Sequence, residues 1–257
     1  MVINGGVIYK DGKPVKIKGI KKMIGDNFMV VNSHKASQRW GWGYPIWHGK
    51  DPKEYLDLPK EPRVVTMISP GGMDKYYNRA YLSAVKELLR DDYGIKLWQI
   101  TVDWRMDHDV EHEGFDAYRR FLGKSLLYFN PTLDAPMPRA RVEAMLSGCV
   151  VITTNNHDED MFIKHGENGF IVPNSSPRAT ADLIATFLHE RLDKDKPELS
   201  YYETLLQIGQ EGKKTAIKTF TMEKYRNEWI KVINKVLEVG SKRAGEEMYV
   251  NSKTKTS

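Results

Sequence analysis

The sequence predicts an α/β protein: a doubly wound parallel sheet wrapped by helices, with a short N-terminal β-hairpin extension. Three observations carry this expectation. From Arg63 onward, short aliphatic runs alternate with stretches whose apolar residues recur at three-and-four spacing, the signature of strands joined by helical crossovers. Right-handed crossovers of this kind wind helices onto both faces of one sheet. A chain of 257 residues, 40% of them hydrophobic, can also enclose one full-sized core and a small appendage.

In residues 1–62, Val7-Ile8-Tyr9 and Val15-Lys16-Ile17 flank Lys10-Asp11-Gly12-Lys13-Pro14, a strand, turn and strand with an Asp-Gly signal. A short apolar strand at 28–31 follows, then an aromatic stretch with Trp40, Trp42, Tyr44 and Trp47. Pro45, Pro52, Pro59 and Pro62 punctuate a linker. The main unit, 63–240, is expected to have strands at 64–69, 95–100, 126–130, 149–153 and 169–172. Helices are expected at 77–90, 115–122, 139–147, 158–165, 177–189, 202–219 and 222–239. Residues 241–257, rich in lysine and small polar residues, are expected as a flexible basic tail.

The 39 basic against 34 acidic residues give a formal charge of +5, compatible with polyphosphate ligands, anionic membrane surfaces or nucleic acid, and selecting none of them. The single cysteine, Cys149, closes no internal disulfide, and no basic segment followed by an apolar run opens the sequence. A cytoplasmic location is the expectation. Apolar runs such as 28–31 and 149–152 are too short to cross a bilayer, so any membrane association is expected to be peripheral.

In open parallel sheets, ligands bind beyond the carboxyl ends of the strands, so the loops leaving those ends carry the chemistry. The first, Ser69-Pro70-Gly71-Gly72-Met73-Asp74-Lys75, runs from a strand into a helix. Gly71 and Gly72 let backbone amides approach a ligand, and Lys75 and Arg79 supply charge for a phosphate; an ordinary turn is the competing reading. The second, 130–138, carries Asp134, Pro136 and Pro138 and leads into a helix that begins Arg139-Ala140-Arg141-Val142-Glu143. Proline suits a helix start, whereas Arg139 and Arg141 at the positive end of the helix dipole oppose helix stability unless an anion sits there. Glu143 has two readings on spacing alone: acceptor of two ribose hydroxyls, or partner of Arg139 one turn back.

The third loop, Thr153-Thr154-Asn155-Asn156-His157-Asp158, opens another expected helix, with Asn156 and Asp158 as N-cap candidates. The run Asp107-His108-Asp109-Val110-Glu111-His112-Glu113 offers metal-ligand types, but a loop run does not by itself converge on an ion, and a solvated loop is the expectation. His48 beside Trp47 reads as a packed or surface histidine rather than a catalytic base.

The stretch 127–173 resembles the C-terminal half of family-4, or group 1, retaining glycosyltransferases of the GT-B fold. The resemblance rests on Asn130-Pro131-Thr132, Glu143-Ala144-Met145-Leu146-Ser147-Gly148, Val150-Val151-Ile152-Thr153-Thr154 and His165-Gly166-Glu167-Asn168-Gly169-Phe170-Ile171-Val172-Pro173, in that order. Weaker similarity extends it over about 28–240: Tyr44-Pro45-Ile46-Trp47-His48-Gly49-Lys50-Asp51-Pro52 resembles the family's interdomain linker, and 220–229 its closing helix. It implies a Rossmann-like domain in which Glu143 contacts the donor's ribose. The family's other glutamate falls on Ala135, with Asp134 one position away. The diphosphate-binding cations fall near Lys75 and Arg79, without a clean register. Fewer than 65 residues precede this domain, so 1–62 is expected as a remnant of an acceptor domain.

The function so implied is sugar transfer, of hexosyltransferase type and with retention, from a UDP-sugar or GDP-sugar to an unknown acceptor. It needs no metal, because fixed positive groups face the diphosphate, and the catalytic residues are unknown. The alternative is a non-catalytic nucleotide-sugar-binding module, or a subunit of a split glycosyltransferase whose partner chain supplies the acceptor domain. Nucleic-acid binding through the basic excess and Trp40, Trp42 and Trp47 ranks last, because those tryptophans more simply pack the N-terminal segment onto the main domain or onto a missing partner.

Overall fold

The computed structural model describes residues 2–3, 9–10, 13–14, 22, 24–68, 78–100, 114–133, 138–189 and 201–253. The N-terminal part holds β1 (Val2–Ile3), β2 (Tyr9–Lys10), β3 (Lys13–Pro14), β4 (Val30–Val31), α1 (His34–Trp40) and β5 (Tyr44–Pro45). The expected hairpin is present: β2 and β3 pair antiparallel, Tyr9 opposite Pro14. Beyond the expectation, β1, β4 and β5 form a small parallel sheet in the order β1-β4-β5.

The main sheet consists of β6 (Glu61–Met67), β7 (Leu97–Ile100), β8 (Ser125–Asn130), β9 (Val150–Thr154) and β10 (Phe170–Val172). All its pairings are parallel, in the order β10-β9-β8-β6-β7. The helices are α2 (Arg79–Tyr93), α3 (Phe115–Lys124), α4 (Arg139–Leu146), α5 (Pro177–His189), α6 (Tyr201–Thr219), α7 (Met222–Val239) and α8 (Ser241–Lys253). Strand order reverses direction between β6 and β8, and such a switch point opens a crevice at the strands' carboxyl ends.

Both sheet faces are covered, which is why these strands read as continuous aliphatic runs rather than alternating ones. Val64, Leu127, Val150 and Ile152 point to one layer with Leu82, Val85, Leu89 and Ile184. Val65, Tyr128 and Val151 point to the other, with Tyr118, Leu122, Met145, Leu146 and Phe220. The turn out of α4 is set by Gly148, at φ 71°; a Cβ there would lie 2.5 Å from the Asp57 carboxylate. Asp57 in turn takes the ammonium of the buried Lys60 at 3.1 Å and that of Lys213 at 2.9 Å. This fastens the linker to α6.

Two expectations are corrected. Residues 158–165 do not form an α-helix; only a 3-10 turn, Asp158–Met161, is present. The carboxylates that would cap or stabilise such a helix are committed to amides elsewhere: Glu159 folds back onto Asn156 and His157, and Asp158 turns to α1. Residues 241–253, expected as a flexible tail, form α8. Ala244 is buried with Val232 of α7, and Lys235 meets Glu247 at 2.7 Å, so apolar side chains interleaved with the charges hold this segment down.

Candidate functional site

β6 and β8 end side by side at the switch point, and the amino ends of two helices gather there. Asn78 caps α2, its side chain accepting from the Tyr81 amide at 3.1 Å, while its own amide donates to the Pro131 carbonyl at 3.1 Å. The start of α2, with Arg79 exposed on it, is thereby tied to the exit of β8. α4 begins behind Pro138, which provides no side-chain cap, and no acidic residue lies in its first turn. Its first-turn amides and dipole therefore favour an anion, and Arg139 stands exposed beside them. Gly71, Gly72, Lys75 and Asp134 lie outside the described residues, as does the 107–113 run. Among the described residues, no cluster of three or more His, Cys, Asp or Glu is arranged to hold a metal.

Glu143, on the second turn of α4, is 8% exposed. Its carboxylate pairs with neither Arg139 nor solvent alone. Lys50 of the linker donates to Oε1, and the buried Tyr118 of α3 donates to Oε2 at 2.5 Å. Burial first, and then the facing carboxylate, push the Tyr118 phenol well above its ordinary pKa, so it remains a hydrogen donor. Tyr55, its phenol likewise raised by burial and by Glu143, faces the same carboxylate. Lys50 and Tyr118 were not expected at the site. They lie 93 and 25 residues from Glu143, beyond any helical or strand spacing, so no local pattern announces them.

Arg141 is corrected from a cation presented at the helix end to one enclosed in the core. It is 0% exposed, its guanidinium lies 5.2 Å from the Phe162 ring centroid, and Nη1 reaches Thr153 at 3.3 Å and Glu159 at 3.4 Å. Burial lowers its pKa, against the raising effect of Glu159. It thus braces the 155–161 turn against α4.

That turn anchors the N-terminal segment. Asp158, fully buried, accepts from the His34 and Lys35 amides at 2.5 and 2.8 Å and from Trp47 Nε1 at 2.7 Å. It therefore helps Ser33, the N-cap residue, complete the amino end of α1 from a distant part of the chain. Trp47 packs edge-on to Phe162 and tilted on Phe220, and Trp40 is buried, so both tryptophans pack the structure together. A cavity of about 530 Å³ has Trp47, His48, Tyr225 and Glu228 among its walls. Burial, and then the nearby Arg139 and Lys50, lower the pKa of His48 to about 4, so its imidazole is neutral at pH 7 and touches the field of the α4 terminus.

Residues 108–214 match the family model of glycosyl transferases group 1. The chain has the fold of a GT-B glycosyltransferase domain. It is similar to S. aureus TarM, at a TM-score of 0.67 and 15% identity over 89% of this chain and 49% of TarM. It is also similar to Anabaena HepE, solved with UDP-glucose, at 0.64 and 14% over 85% of this chain and 67% of HepE. A third similarity is to the sucrose-phosphate synthase of Thermosynechococcus elongatus, at 0.61 and 15% over 90% of this chain and 64% of that one. The chain thus spans about half the length of TarM and about two thirds of the other two. No curated protein matches the sequence. No helix among the described residues is long and apolar enough to cross a membrane.

Proposed function

We propose that this chain binds the nucleoside-diphosphate part of a sugar donor where β6 and β8 end, and acts in glycosyl transfer. The observation that carries the reading is Glu143. A carboxylate held on both oxygens by protein donors, one turn into a helix whose amino end has no side-chain cap at Pro138, is built to take ribose hydroxyls while the helix end takes phosphate. Arg139 and Arg79 neutralise the diphosphate in this reading, and the family likeness assigns a diphosphate contact to Lys75 and a sugar contact to Asp134. The fixed cations and helix amides then stabilise the departing diphosphate without a metal. Hexosyl transfer with retention from a UDP-sugar or GDP-sugar follows from the family likeness, and the solved complexes of HepE with UDP-glucose and of TarM with UDP agree with a uridine donor.

A second reading, a nucleotide-sugar-binding module or a subunit whose partner chain supplies the acceptor half, has its own support. In the sequence, Ala135 stands where the family's first carboxylate belongs. Calorimetric titration with UDP, GDP and their glucose and mannose conjugates, followed by a donor-hydrolysis assay, separates the two. Binding with slow hydrolysis supports the transferase; binding with no turnover, alone or with added acceptors, supports the module.

A further inference from the structure

Resting on that reading of Glu143, we infer that Lys50 and Tyr118 are positioning residues that fix the Glu143 carboxylate to receive the vicinal diol of a ribose. A carboxylate's two oxygens offer about four lone-pair sites. Lys50 takes one on Oε1 and Tyr118 one on Oε2, and the Tyr55 phenol faces the same carboxylate, so part of its acceptor capacity remains for hydroxyls that enter there. A cis-diol presents two hydroxyls to such a pair of oxygens. The Glu143 side chain keeps 11% of its surface open, enough for contact but too little to turn freely.

The two donors are themselves fixed. The Lys50 amide donates to the Phe220 carbonyl at 2.7 Å, and Lys50 bridges to Thr221 in a parallel pairing. Gly49 before it lies flush against the start of α7, where a Cβ would meet Tyr225 Cβ at 2.6 Å and the Thr221 carbonyl at 2.9 Å. The backbone of Lys50 is therefore pinned, and its ammonium passes 5.8 Å from the Tyr55 ring centroid on the way to Glu143. Tyr118 is 5% exposed on α3, one turn before the buried Leu122. The ammonium also offsets the charge of a nearly buried carboxylate. The linker thus contributes to donor recognition through the ribose, while the phosphate end is served by α4.

The test compares parent, Lys50→Met, Lys50→Arg, Tyr118→Phe and Glu143→Gln by calorimetry against UDP and GDP and against their 2′,3′-dideoxy counterparts. Melting curves identify any variant that does not fold. The parent is expected to prefer the ribonucleotide by about tenfold or more, from two hydrogen bonds to a charged group. Lys50→Met and Tyr118→Phe are expected to lose most of that preference while holding the dideoxy nucleotide as the parent does, and Lys50→Arg to restore it. Equal weakening toward both nucleotides, or an unchanged preference in Lys50→Met, overturns the positioning role. If the parent binds none of these nucleotides, or shows no preference and Glu143→Gln binds like it, the ribose reading of Glu143 itself fails.

Discussion

Trp47 Nε1 donates to Asp158 Oδ2 at 2.7 Å, and the same carboxylate closes the amino end of α1. A single buried side chain from the loop after β9 thus fastens both the N-terminal helix and the linker. In Asp158→Ala three donors lose their acceptor inside the protein, two of them at a helix start. A loss of about 2–4 kcal/mol is expected in denaturant unfolding. A change below about 0.5 kcal/mol contradicts this role.

Gly49→Ala tests the seam between the linker and α7. The added methyl meets Tyr225 and the Thr221 carbonyl at sub-contact distances, so an overpacking cost of about 1–3 kcal/mol is expected. Gly94→Ala, where a Cβ meets nothing within 4 Å but φ is 64°, serves as a backbone-strain control away from the seam. If Gly49→Ala changes neither stability nor nucleotide affinity, the linker is not seated as described.

His48 sets a pH dependence of known sign. Its folded pKa, about 4, lies below the ordinary value of 6.5, so between these limits the unfolded chain binds the proton and the folded one does not. Stability from this group is full above pH 6.5 and falls as the pH drops toward 4. His34, also lowered by burial, acts in the same direction. In His48→Gln the acid-side slope of the melting temperature is expected to flatten; an unchanged slope contradicts the shift.

Cys149 is fully buried, its thiol 3.2 Å from the Leu122 carbonyl and its pKa raised to about 11 by burial. Native protein at pH 8 is expected to resist a thiol reagent over hours, and unfolded protein to react within minutes. Rapid native labelling contradicts the placement.

How much of this was legible in the sequence follows from the range of each interaction. The alternation of strands and helices is local, and each strand of the main sheet appears within three residues of its expected place. The helix 139–147 and Glu143 on it were legible for the same reason. The expected helix 158–165 was not, because Asp158 and Glu159 act on amides outside it and tertiary hydrogen bonds override the capping pattern. α8 was misread because its charges dominate the composition while Ala244 and Met248 do the packing. The pairing partners of Glu143 were hidden for a plainer reason. Lys50 sits in a proline-punctuated linker and Tyr118 on another helix, and only the folded chain brings them to one carboxylate.

In the proposed function Glu143, held by Lys50 and Tyr118 at the switch point, takes the ribose of a nucleoside-diphosphate sugar. The most direct measurement is calorimetric titration of UDP, GDP and their sugar conjugates into the parent and into Glu143→Gln. Measurable binding of one nucleotide family to the parent is expected, with a loss of about tenfold or more in Glu143→Gln and the melting temperature little changed. Equal affinity in the two proteins, or no binding of any of these nucleotides by the parent, contradicts it.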